Sequence, residues 1–132
     1  MIARRALSAF AVAAISLLAI ACGGDAQRET VEIRFSSFGP AVIEARAGEP
    51  LTIALRNGDP IEHEWLVGDA AMHERHRAGT EAHHDTIPTE VTIPAMETRV
   101  TTVTFDEPGD YKFICHLPGH EAYGMVGLLR IT

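Results

Sequence analysis

Between Tyr111 and Gly127 the chain reads YKFICHLPGHEAYGMVG, and within it Cys115, His120 and Met125 stand in the pattern C-x4-H-x4-M. The residues before the cysteine are β-rich, Pro118-Gly119 marks a turn, and Met125 opens a last β-rich run to Thr132. A strand that delivers a thiol, a reversal that returns an imidazole and a short loop that returns a thioether bring three donor atoms to one point. That demand is met by a β-scaffold with short loops, and the rest of the chain supplies one. A fourth donor has to come from elsewhere, and His63, after Asn57-Gly58-Asp59-Pro60-Ile61-Glu62, is placed to provide it.

Val31, Ile33 and Phe35 alternate with Glu32 and Arg34, and Leu51, Ile53 and Leu55 repeat the pattern after a Gly48-Glu49-Pro50 turn. Further short β-rich segments run over Glu64 to Val67, Glu90 to Ile93, Arg99 to Phe105, Tyr111 to Cys115 and Met125 to Thr132. No segment shows capped helical periodicity. About seven short strands separated by turns predict an all-β Greek-key sandwich or barrel. The expected organisation is a leader over 1–21, a polar tether over 22–29 and one domain over 30–132. The interval 68–89 breaks the rhythm as a long polar insertion.

From about Val31 to Thr132 the sequence resembles the cupredoxins, the blue copper proteins of the plastocyanin and azurin type. The resemblance is densest at Asn57, His63-Glu64-Trp65 and Tyr111-x-Phe-x-Cys115-x4-His120-x4-Met125-x-Gly127. It implies that His63, Cys115 and His120 form a trigonal plane around one type 1 copper ion, with Met125 as the long axial ligand. It also implies that the ring edge of His120 reaches the surface as an electron port. The donor chemistry agrees, because a soft thiolate holds Cu(I), imidazoles suit both oxidation states and a thioether binds weakly. Structural zinc sites prefer four Cys and His ligands to a methionine. Taken singly, Met125 reads as a core residue and Cys115 as a small buried hydrophobe; their joint spacing favours the metal reading.

The flanking residues separate the functional classes. His116 follows the cysteine, but Ile114 precedes it and His-x-His pairs are missing, so the trinuclear arrangement of multicopper oxidases does not fit. The loop also lacks the second cysteine of a dinuclear electron-entry site. His116 points away from Cys115 on its strand and is expected at the surface. Glu64 stands where the family often has an asparagine; buried there, its charge would lower the copper potential.

Four of the seven histidines, His73, His76, His83 and His84, fall in the insertion. They suggest either a solvated loop or a second metal site of borderline-to-hard ligands, near enough to the copper loop to act as a lid or docking surface.

Residues 1–21 carry Arg4 and Arg5 followed by an apolar run from Ala6 to Ala21, the pattern of an export signal. That run falls short of the ~20 residues a spanning helix needs. Cys22, directly after Leu18-Ala19-Ile20-Ala21, resembles a lipoprotein acylation site. The reading is an exported protein held to a membrane at Cys22, on the periplasmic or extracellular face.

With 11 Lys and Arg against 18 Asp and Glu, the chain has a formal charge of −7 and only one lysine, Lys112. Nucleic acid is therefore excluded as a ligand, since phosphate neutralisation needs clustered cations. A cationic redox partner, such as a c-type cytochrome, or a membrane oxidoreductase suits this field. A monomer working as a one-electron carrier rather than an enzyme is the expected function. Storage or delivery of copper for a membrane oxidase is the alternative.

Overall fold

A computed structural model describes residues 26–79 and 86–132. Among the described residues ten strands occur in the order β1 (Gln27–Arg34), β2 (Ser37–Gly39), β3 (Val42–Ala45), β4 (Leu51–Asn57), β5 (His63–Gly68), β6 (Thr86–Ile87), β7 (Glu90–Ile93), β8 (Thr98–Val103), β9 (Gly109–Ile114) and β10 (Val126–Ile131). A helix, α1 (Ala70–Arg77), lies between β5 and β6. One sheet runs β2-β1-β4-β8, and the other runs β3-β10-β9-β5-β7-β6. Both are mixed, because β1 pairs in parallel with β4 and β3 with β10 while the remaining neighbours are antiparallel.

The all-β sandwich expected from the alternation is the observed fold. Along β4, Leu51, Ile53 and Leu55 are buried while Thr52, Ala54 and Arg56 are less so, the period of two that one covered face produces. They meet Val31 and Ile33 of β1, Trp65 and Val67 of β5, Phe113 of β9 and Leu129 of β10 in one core. Phe113 sits at its centre, edge-on to Phe38 at 5.2 Å and near Trp65 at 6.1 Å. Gly127 of β10 faces Phe113 across the ladder, and a Cβ there would lie 2.0 Å from the ring. Only glycine leaves space for that aromatic.

The structure amends three sequence expectations. Strand β1 begins at Gln27, inside the stretch read as tether, because Gln27, Arg28 and Glu29 pair with Leu51, Thr52 and Ile53. A ladder partner ordered residues whose own composition is polar. Strands β2, β3 and β6 are two to four residues long, too short to show a period.

The third amendment concerns the insertion, which contains a helix. Asp69 caps α1, its carboxylate accepting the amide of Met72 at 2.8 Å, and basic residues fill the last turn, where they favour the helix dipole. Because the apolar residues of α1, Ala70, Ala71 and Met72, stand together in its first turn and only His73 is buried, hydrophobic periodicity could not reveal it. It packs on the outer face of β5 and β9, the side on which Leu66 and Ile114 are buried outside the main core.

Candidate metal centre

The centre lies where β5 and β9 meet the loop between β9 and β10. Alternation along β9 turns Phe113 inward and Ile114 outward, so Cys115, one residue past the strand, turns inward again at 0 % exposure. Backbone hydrogen bonds shape the loop that follows. Cys115 donates to the carbonyl of Met125, Met125 to that of His120, and His120 to that of Leu117. Gly119 and Gly124 take φ of +85° and +92°, the left-handed conformation that lets the chain reverse twice. The loop is thereby tied at both ends and in its middle. Met125 emerges fully buried.

His63 opens β5, also at 0 % exposure. Its Nδ1 is 3.3 Å from Nδ1 of His120, and Sγ of Cys115 is 3.3 Å from that same His120 atom. One donor atom from each of His63, Cys115 and His120 lies within 4.8 Å of the other two. His120 is half-buried, whereas the other two donors are sealed. The structure thus brings together His63, Cys115 and His120 as expected, with Met125 buried and hydrogen-bonded through its backbone to Cys115 and His120.

Burial pushes the Cys115 thiol above its ordinary value, opposed by the amides of Glu64 and Leu117 and reinforced by the charge of Glu64. The Glu64 amide donates to Sγ at 3.4 Å. Burial likewise lowers His63, against the pull of Asp59. Both shifts keep the metal-free centre uncharged, so the donors gain by sharing a cation. A thiolate, two imidazoles and a thioether in a dry site fit copper better than zinc or a hard cation.

Asp59 is the site residue that the sequence reading missed. Its Oδ2 lies 3.0 Å from Nε2 of His63, so the ring donates outward to the carboxylate and turns the Nδ1 lone pair toward Cys115 and His120. The same carboxylate accepts the amides of Phe35 and Ser36, each at 2.8 Å. Burial raises its proton affinity, but those two amides and His63 together bring it below the ordinary aspartate range. Asn57 braces the segment from the other side, donating to the carbonyls of Ile61, Ile93 and Pro94 while accepting the Asp59 amide. In sequence Asp59 reads as a turn residue, and its spacing of four before His63 is the only available signal.

Glu64 is buried at 8 % exposure. His116, expected at the surface, is instead enclosed, with its side chain 8 % exposed. It does point outward from β9, but α1 covers it with His73 and His76. Burial and the neighbouring histidine His73 lower its proton affinity to about 4. Of the four insertion histidines, His73 and His76 therefore lie beside the copper-loop residue His116, while His83 and His84 are outside the described residues. Cys22 and the leader are outside them too. Among the described residues, no helix is long and apolar enough to cross a membrane.

Two layers of sheet and a buried histidine-cysteine-histidine set at the end of the sandwich define a cupredoxin-like protein, and the chain belongs to that family: the model of the cupredoxin-like domain matches residues 7–126. The fold is similar to that of auracyanin B, with a TM-score of 0.67 over 81% of this chain and 89% of that one at 22% identity. The reduced auracyanin of Roseiflexus castenholzii gives 0.68 over 83% and 99% at 17% identity.

More particularly, the sequence is similar to two copper-resistant cuproproteins named CopI. The one from Rubrivivax gelatinosus is 34% identical over 113 residues, covering 79% of this chain and 68% of the relative. The one from Pseudomonas aeruginosa is 28% identical over 127 residues, covering 71% and 70%.

Proposed function

We propose that this protein binds one copper ion through His63, Cys115, His120 and Met125 and carries single electrons between exported or membrane-bound redox partners. The observation that carries this reading is the convergence of one thiol and two imidazoles within 4.8 Å at a buried site. Copper bound there supplies a Cu(I)/Cu(II) couple, and a mixed soft and borderline donor set suits both states.

The chain's own part is to keep those donors still. Asp59 fixes the His63 ring, the Glu64 amide donates to the Cys115 sulfur, and the backbone bonds of the 115–125 loop resist rearrangement. Rigid donors spare the reorganisation that slows electron exchange. His120, the one half-exposed donor, provides the exit, beside Leu117 and Pro118, which suit brief docking. The acidic surface favours a cationic partner such as a c-type cytochrome, with a membrane oxidoreductase as the other candidate. The leader and Cys22 support export and lipid attachment on the outer side of the cytoplasmic membrane. Such a protein is a carrier and not an enzyme.

A second reading is copper storage or delivery, favoured by the name of the CopI relatives, copper-resistant cuproproteins. Titration of the purified protein with Cu(II), followed by visible absorption and electron paramagnetic resonance, separates the two. An intense thiolate-to-copper band with narrow hyperfine splitting, saturating at one copper and lost in Cys115→Ser, supports the carrier. A pale solution with ordinary tetragonal signals at every equivalent overturns it. Acyl labelling that persists in Cys22→Ala would overturn lipid attachment at that residue.

A further inference from the structure

His73 of α1 and His116 of the copper loop face each other across the outer surface of the second sheet. Nδ1 of His73 is 2.9 Å from Nε2 of His116. The opposite nitrogen of His73, Nε2, lies 3.0 Å from the carbonyl of Lys112, which only accepts, so that nitrogen carries the proton and Nδ1 is a lone pair. On the far side of His116, Nδ1 is 3.4 Å from Oε2 of Glu121, another acceptor. That last contact is an ion-pair distance and not a hydrogen bond, so the ring-to-ring contact at 2.9 Å is the hydrogen bond His116 makes among the described residues.

Two ring nitrogens this close, each backed by an oxygen, could share a cation in place of the shared proton. His116 then keeps its N–H on Nδ1, facing Glu121, and both inner lone pairs bind the metal. This repeats the arrangement at His63, where Asp59 holds the outer nitrogen and the inner one faces His120 at 3.3 Å. Carboxylate or carbonyl acceptors behind both imidazoles are the usual support for metal-bound histidine. Two nitrogens each ~2.0 Å from one ion and 2.9 Å apart subtend about 90°, the cis relation of a tetragonal site.

The surroundings carry both signs of charge, the Glu121 carboxylate drawing a cation and the Arg77 guanidinium opposing one. Arg77 holds Glu121 in place through Nε at 3.0 Å, leaving the carboxylate beside the pair. The ring of His76 stacks on His116 at 5.7 Å, with its Nε2 3.7 Å from Glu90 Oε2. That buried oxygen has no hydrogen-bond donor among the described residues. A groove of about 400 Å³ lined by His76, His116, Leu117 and Glu121 leads in from solvent.

We propose that His73 and His116 form a second metal site, separate from the His63–Cys115–His120 centre, for a borderline divalent ion of tetragonal preference such as Cu(II). The groove beside His116, which Glu121 and His76 also line, gives an ion its approach. The site stands on its own geometry and holds whether the first centre carries electrons or stores copper.

The test begins with protein already loaded with one equivalent of copper, to which Cu(II) is added while paramagnetic resonance is recorded. A second equivalent should give a tetragonal signal with nitrogen superhyperfine structure, and its affinity should fall about tenfold or more in both His73→Gln and His116→Gln. The signal of the first centre should persist in His73→Gln. No second equivalent in the wild-type protein overturns the proposal, as does one that binds equally well in both variants, which would place it elsewhere, as at His83 and His84. Should either variant fail to fold, Zn(II) added to the copper(I)-loaded wild-type protein decides. Ring resonances of His73 and His116 that shift support the site, and unshifted ones overturn it.

Discussion

One carboxylate, that of Asp59, holds the ring of His63 at 3.0 Å and also accepts the amides of Phe35 and Ser36 at 2.8 Å each. Those two residues form the β1–β2 turn with φ of 53° each, a conformation disfavoured for side-chain-bearing residues. The metal centre and a strained turn on the other sheet therefore share a single anchor.

Replacing that anchor should injure both. In Asp59→Ala the two turn amides lose their acceptor and the His63 ring its orientation. The expected outcome is a stability loss of ~1–3 kcal/mol in denaturant titration and a ~10–100-fold loss of copper affinity in a competition assay. Unchanged values of both would show that the contact orients nothing.

Gly127→Ala tests the packing behind the centre. A Cβ would lie 2.0 Å from the ring of Phe113, a fully buried core residue. Overpacking of this kind should cost ~1–3 kcal/mol, read as a lower urea midpoint. A wild-type midpoint would mean that the ring is free to move.

The metal-free protein should weaken in mild acid. Because His116 is brought from 6.5 to about 4, the unfolded chain binds a proton between those values that the folded chain refuses. Stability is thus fully present above 6.5 and is lost as pH falls toward 4. His63 and His73, also lowered by burial, add the same sign. Asp59 and Glu121, lowered as well, lose their contributions only at more acid pH. Urea midpoints taken with a chelator from pH 7 to 4 should fall steadily, and less steeply in His116→Gln; a flat profile would contradict the burial of these rings.

Arg77→Ala should loosen α1 without harming the sandwich. The Arg77–Glu121 pair is partly exposed, at 40% and 32%, so its loss should cost at most ~1 kcal/mol. Amide exchange in α1 should quicken while that in β4 stays slow. Equal exchange in α1 of both proteins would show that the helix is held by other contacts.

The strand periods and the Cys115–His120–Met125 spacing made the sandwich and most of the metal centre readable in advance, since both depend on local order along the chain. His63 needed the family resemblance as well, because its partner loop is far away in sequence. Helix α1 escaped notice: a helix whose apolar residues stand together in its first turn and that buries one histidine leaves no apolar stripe. The exposure expected for His116 failed for the same reason, as the residue does turn outward from β9 but meets that helix.

The sequence by itself therefore determined the β-class, the strand that turns Cys115 inward and the loop that returns His120 and Met125, all consequences of alternation and turn chemistry within short stretches. Tertiary structure alone decided that Asp59 stands behind His63, and that His73 meets His116 across 43 positions of chain at 2.9 Å. Such contacts arise from how sheets and a helix stack, and a hydrogen bond between distant residues leaves no period in the sequence to announce it.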